Sequence, residues 1–158
     1  MTATTPSGPR PASPPVHGVD TRWDVRIPVR DGLELSANLW LPIPRDDAPE
    51  ERFPAILEMI PYGKDNWRRV ADVGRGEWLA ARGFALCRLD VRGTGSSPGI
   101  ALDEYTARET QDGFDAVEWL AVQAWCNGRI GMWGISYGAS PRSRSRSSAR
   151  PTSAPSSR

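Results

Sequence analysis

Ser136 lies between two glycines in Gly134-Ile135-Ser136-Tyr137-Gly138, directly after the apolar run Ile130–Ile135. That order calls for a chain that leaves a buried strand and turns sharply into a helix. Glycine on both flanks meets the two demands of such a turn, unusual torsions and a close approach of helix to strand. A serine held there, in a sparsely allowed backbone region, projects its hydroxyl from the end of a sheet. The same five residues also read as an ordinary β-turn, and the strand before them favours the strained turn.

Upstream, short apolar strands alternate with helical patterns. Trp23–Val29 and Leu33–Leu41 alternate apolar and polar residues around Arg30-Asp31-Gly32, which predicts an antiparallel hairpin. Residues 42–52 read as a charged, proline-bearing loop. Phe53–Ile60 reads as a strand, followed by a polar loop from Pro61 and a helix through residues 77–82 that Gly83 caps. Phe84–Leu89 predicts the next strand, ending at Asp90. Thr106 and Glu109 form a capping-box pattern, opening a helix whose Phe114, Val117, Leu120, Ala121 and Ala124 recur at three- and four-residue steps. Asn127-Gly128 then turns the chain into a buried strand, Ile130–Ile135. This order predicts an α/β fold: a mostly parallel sheet with helical crossovers and an N-terminal antiparallel hairpin.

Composition changes at both ends. Residues 1–20 carry Pro6, Pro9, Pro11, Pro14 and Pro15 and read as a disordered leader, in which His17, the sole histidine, is a solvated linker residue. Residues 21–139 form the globular part. Residues 140–158 contain only Ser, Arg, Pro, Ala and Thr and read as a disordered tail without the apolar face of a helix. The net charge of +1 includes five tail arginines, so residues 1–139 carry −4 and offer no nucleic-acid surface. Cys87 and Cys126 are too far apart in sequence for a paired metal motif and read as reduced thiols. The leader lacks the apolar core of a signal peptide and no stretch approaches the ~18 apolar residues of a membrane span, so a cytoplasmic protein is expected.

Five motifs together are specific: Arg30-Asp31-Gly32, Ile60-Pro61-Tyr62, Asp90-Val91-Arg92-Gly93-Thr94-Gly95, Trp125-Cys126-Asn127-Gly128, and Gly131–Gly138. In this order the chain resembles the X-Pro dipeptidyl-peptidase (peptidase S15) and cocaine-esterase-like (CocE/NonD) hydrolases over residues 23–139, the N-terminal part of that α/β-hydrolase fold. The resemblance implies a serine hydrolase that cleaves an ester or amide of a small molecule or peptide through an acyl-serine, without cofactor or metal. It makes Ser136 the nucleophile and gives Tyr62 an oxyanion-binding hydroxyl, with the Tyr137 backbone N–H as the other donor. A serine hydroxyl needs an adjacent base, and in this fold the acid and histidine follow the serine. After Ser136 the sequence has no Asp, Glu or His. Asp90, Asp112 and Asp115 precede the serine and suit loop and helix-cap roles.

The family pattern continues with an apolar helix, a helical cap, the catalytic Asp and His and a jelly-roll domain, so this chain is expected to be inactive alone and frameshifted near residue 139. An arginine-serine tail that binds RNA or a partner is the alternative. Gly93-Thr94-Gly95 is not a dinucleotide fingerprint, because the third glycine of Gly-x-Gly-x-x-Gly would fall on Pro98.

Overall fold

The hairpin at the N-terminus builds one side of the sheet. In the computed structural model, which describes residues 12–67 and 69–134, β1 (Gly18–Pro28) pairs antiparallel with β2 (Glu34–Ile43). The turn between them closes with Val29 N–H on the Leu33 carbonyl and Gly32 N–H on the Val29 carbonyl, both at 2.9 Å. The register shifts between Arg22 and Val25, where Asp24 adopts φ 52°. There follow β3 (Phe53–Ile60), α1 (Arg69–Ala80), β4 (Ala85–Asp90), α2 (Ala107–Ala121) and β5 (Cys126–Met132).

The sheet order is β1-β2-β4-β3-β5, with β3 parallel to both β4 and β5 and β2 antiparallel to β1 and β4. Four of the five strands therefore point the same way, as the alternation of elements predicts. The two crossovers place their helices on opposite faces. Leu39 of β2, Leu57 of β3 and Leu89 of β4 pack with Ala116, Val117 and Leu120 of α2, while Trp40, Ile56 and Leu86 pack with Val73, Leu79 and Ala80 of α1. Strand β4 is buried at every position because both of its faces are covered. Each fully buried leucine contributes roughly 1.5–3 kcal/mol of transfer free energy.

Local signals hold at the helix ends. Gly83, at φ 82°, donates to the Ala80 carbonyl (3.0 Å) and Phe84 donates to Leu79 (3.1 Å), the paired bonds of a left-handed helix stop. Thr106 caps α2 by accepting the Glu109 N–H at 3.1 Å, and the Glu109 carboxylate accepts the Tyr105 N–H at 3.2 Å.

Three expectations differ from the structure. The ordered chain reaches into the segment read as a leader: residues 18–20 belong to β1, and the N–H groups of Val16 and His17 donate to the Ala81 carbonyl at 2.8 and 3.1 Å. The end of α1 needs donors for its free carbonyls, and this proline-rich stretch supplies them. On α2, Phe114 is exposed, and Asp112, Gly113, Ala116, Val117 and Leu120 form the inner face. Asp112 on that face is ion-paired with Arg92 at 2.6 Å, and the Arg30 guanidinium lies 5.8 Å from the Phe114 ring centroid. Strand β5 begins at Cys126, so Asn127 and Gly128 lie inside it, and beyond Cys126 it alternates between exposed and half-buried residues. Among the described residues it pairs only with β3, which leaves it less covered than its apolar sequence suggests.

Gly76 faces the Trp40 ring, and a Cβ built there would overlap it. Helix propensity alone favours alanine over glycine by about 1 kcal/mol. Overpacking costs about 1–3 kcal/mol, so Gly76→Ala is expected to lower unfolding stability in urea by up to about 2 kcal/mol net, and a gain would show that the Trp40 ring yields.

Candidate active site

Parallel strands deliver their C-terminal ends to one edge of the sheet, where α/β folds bind ligands. Strand β3 ends there at Ile60, and Pro61-Tyr62-Gly63 continues from it. Strand β4 ends there at Asp90, with Val91 N–H still donating to the Ile60 carbonyl at 3.0 Å. Strand β5 pairs Met132 with Leu57, and Trp133 N–H donates to the Leu57 carbonyl at 3.0 Å, so Gly134 leaves the sheet at the edge that carries Tyr62. Ser136 and Tyr137 lie outside the described residues, as do the arginine-serine tail and the end of the apolar run at Ile135.

Tyr62 is 59% exposed and lines a cavity of about 570 Å³. Pro61, Val91, Arg92, Thr94 and Arg108 line it as well, together with residues 100–104. The Tyr62 carbonyl accepts the Asn66 side-chain N–H at 3.0 Å.

Asp90 ties the two loops at this edge together. Its Oδ1 accepts the Lys64 N–H at 2.5 Å and its Oδ2 the Ser96 N–H at 2.9 Å. Its carbonyl accepts the Ser97 hydroxyl at 2.6 Å, and Ser97 Oγ accepts the Ser36 N–H at 2.9 Å. Gly95, at φ 53°, must be glycine, because a Cβ there would overlap the Asp90 carboxylate. The loop role expected for Asp90 holds. Beside it the Lys64 side chain is 1% exposed, with its ammonium 3.0 Å from Asp65, 3.5 Å from Asp90 and 3.7 Å from Asp24. The Ser36 hydroxyl hydrogen-bonds Asp24 and, with Arg26, holds its carboxyl below the ordinary range. Burial pushes the Asp65 carboxyl up, but hydrogen bonds from Lys64 and Asn38 leave it low on balance.

A second charged group includes Arg92 and Arg108 of this lining. Arg92 bridges Asp112 (2.6 and 2.8 Å) and Asp31 (2.9 Å), and Arg108 joins Asp31 at 2.9 Å. Arg30 pairs with Asp115 at 2.7 Å. Asp112 and Asp115 are therefore ion-pair partners rather than helix caps: both sit past the first turn of α2, and arginines from neighbouring loops reach them first. Hydrogen bonds from Arg92 hold the Asp31 carboxyl low, and those from Arg30 do the same to Asp115.

A third group lies under α1, where Glu58 and Asp72 share Arg88 and Arg75 at 2.7–3.2 Å. Burial pushes the Glu58 carboxyl up against the pull of both guanidiniums. The Arg75 guanidinium stacks 4.5 Å over Trp133, at the end of β5.

His17 is not a solvated linker residue. Its side chain is 5% exposed, its ring meets Phe53 edge-on at 5.0 Å, and Nδ1 lies 3.2 Å from the Ile43 carbonyl. Phe53 begins β3, so this imidazole sits at the opposite end of that strand from Tyr62. Cys87 and Cys126 are buried, and burial pushes both thiols up. Among the described residues no group of three His, Cys, Asp or Glu side chains could hold a metal ion. Among them, too, no helix is long and apolar enough to cross a membrane.

Of the residues that the sequence singles out, Tyr62 lies at this edge, and the buried Lys64 beside it was not singled out. The available signal was composition: among 20 basic residues Lys64 is the only lysine.

Residues 31–143 match the family described as X-Pro dipeptidyl-peptidase (S15 family). The chain is 32% identical over 119 residues to the cocaine esterase of Rhodococcus sp. (strain MB1 Bresler), covering 72% of this chain and 19% of that protein. It is 28% identical over 131 residues to the dipeptidyl aminopeptidase BIII of Pseudoxanthomonas mexicana, covering 74% and 18%. Among solved structures, a CocE/NonD family hydrolase from Staphylococcus aureus superimposes with a TM-score of 0.63 at 26% identity, over 75% of this chain and 23% of that one. The chain thus spans about a fifth of the length of these curated relatives. The architecture is that of an α/β-hydrolase.

Because the Asp115 carboxyl is held low in the folded state, its contact with Arg30 stabilises fully above about pH 4 and is lost as pH falls through the lowered value. Asp115→Asn is expected to lower Tm at neutral pH, with the difference from the parent shrinking below about pH 4. A Tm difference independent of pH would rule out this linkage.

Proposed function

The chain belongs to the X-Pro dipeptidyl-peptidase (S15) family, and from that membership we propose that it carries the nucleophile and oxyanion site of a serine hydrolase acting on esters or amides. The Ser136 hydroxyl attacks the substrate carbonyl while its proton passes to a base. The tetrahedral oxygen accepts hydrogen bonds from the Tyr137 N–H and the Tyr62 hydroxyl. Collapse expels the alcohol or amine, which takes up the proton, and water then releases the acid from the acyl-serine. The base and its acid partner come from chain other than these 158 residues: no Asp, Glu or His follows Ser136, and His17 is packed at the far end of β3.

One observation carries this reading. The parallel pairing of β3 with β5 sends Tyr62 and the segment leading to Ser136 to the same sheet edge, beside a cavity that Tyr62 itself lines. The named relatives include an esterase and a dipeptidyl aminopeptidase, which supports acyl transfer and leaves both esters and peptides as substrate classes.

Phosphonylation by a fluorophosphonate ester, mapped by peptide mass spectrometry, tests the proposal. The 158-residue chain alone should show background labelling. Residues 12–138 joined to the segment that follows the corresponding elbow in the Rhodococcus esterase should be labelled at Ser136, and Ser136→Ala should abolish the adduct. Tyr62→Phe should slow labelling roughly 10²–10³-fold, the usual loss for one oxyanion donor. A folded chimera that stays unlabelled would sink the proposal.

A further inference from the structure

The cluster around Lys64 is more elaborate than a loop anchor requires. A lysine ammonium buried to 1% exposure persists only where carboxylates repay its lost hydration, and Lys64 has three, from three different elements. Asp24 comes from the bulge in β1, Asp65 from the Tyr62 loop and Asp90 from the end of β4. Arg26 pairs with Asp24 at 2.7 Å and Arg69 approaches Asp65 to 3.9 Å, so three cations face three anions. Asn38 joins the set, donating to Asp65 at 3.0 Å and accepting the Asp24 N–H at 3.1 Å.

Lys64 is two residues from Tyr62, separated by Gly63 at φ 82°. Its own N–H is fixed on Asp90, and Asn66 fixes the Tyr62 carbonyl. The Tyr62 ring is otherwise largely exposed, so its backbone sets where the hydroxyl can reach. The ammonium is a compact point charge that meets three carboxylates at 3.0–3.7 Å, whereas a guanidinium is a planar fork with a different reach.

We propose that Lys64 is a positioning residue for Tyr62: its buried ammonium, held by Asp24, Asp65 and Asp90, sets how the loop leaves β3 and hence where the Tyr62 hydroxyl sits. The assignment rests on the reading of Tyr62 as an oxyanion donor. It extends that reading to four charged residues, Lys64, Asp24, Asp65 and Asp90.

The experiment uses the full 158-residue chain with 3-fluorotyrosine at its three tyrosines, Tyr62, Tyr105 and Tyr137, observed by ¹⁹F NMR. Lys64→Met should shift and broaden the Tyr62 resonance more than the other two while the far-UV circular dichroism is unchanged. Asp24→Asn, on the edge bulge and remote from Tyr62 in sequence, should move the same resonance by a smaller amount. Lys64→Arg should not restore the parent spectrum. Should Lys64→Met fail to fold, Asp24→Asn decides, and an unmoved Tyr62 resonance in it overturns the proposal. Uniform shifts of all three resonances overturn it too, since they mark a general structural change. The readout needs no catalysis, so the two ideas fail separately. A shifted Tyr62 resonance with an unchanged Tyr62→Phe labelling rate removes the oxyanion role and leaves the placement. An unmoved resonance with slowed labelling does the reverse.

Discussion

Asp90 closes β4 with a buried carboxylate, and both loops at the sheet edge that carries Tyr62 hang from it. One oxygen holds the Lys64 amide and the other the Ser96 amide, so the exits from β3 and β4 are set relative to each other by a single side chain. A carboxylate 1% exposed would be costly alone. The Lys64 ammonium offsets that cost, and Lys64 in turn depends on Asp24 and Asp65. The hairpin, the Tyr62 loop and the end of β4 thus form one electrostatic unit, with Gly95 left bare so that the carboxylate has room.

The same economy of charge recurs twice. Arg92 draws the hairpin turn, through Asp31, and α2, through Asp112, onto the loop after β4. Arg75 and Arg88 hold Glu58 and Asp72 between the sheet and α1, and Arg75 adds a stacking contact with Trp133 just before the elbow motif. Buried ion pairs add little net stability over a well-packed apolar core, but breaking one leaves an uncompensated charge and is expensive. Their effect here is geometric: the apolar layers on each face of the sheet would tolerate small slides, and these contacts would not.

Much of the fold was legible in local pattern. Phe53–Ile60 is a short apolar run that carries β-branched and aromatic residues, and β3 has those limits. Gly83 and Thr106 are end signals with direct backbone consequences, and both helices obey them. Where pattern failed, a distant partner had intervened. Phe114 has helical spacing to Val117, yet it is exposed, and the face turned to the sheet carries Asp112, paired with the distant Arg92. His17 has the neighbours of a linker residue, yet Phe53 and the end of α1 give it a packed site. Lys64 has nothing beside it in sequence that predicts burial, since two of its three carboxylates lie 40 and 26 positions away.

The sequence by itself determined the order and kind of elements, the family, the glycine-flanked serine and the tyrosine after β3. Each of these depends on residues within a few positions of one another, where propensity, capping and periodicity act. Only the tertiary structure decided which face α2 turns to the sheet, which charges are buried, and how β3 and β4 are tied so that Tyr62 faces a cavity. Those outcomes depend on charges brought together from remote strands, and the energy of an ion pair is set by distance and burial, neither of which a linear sequence contains.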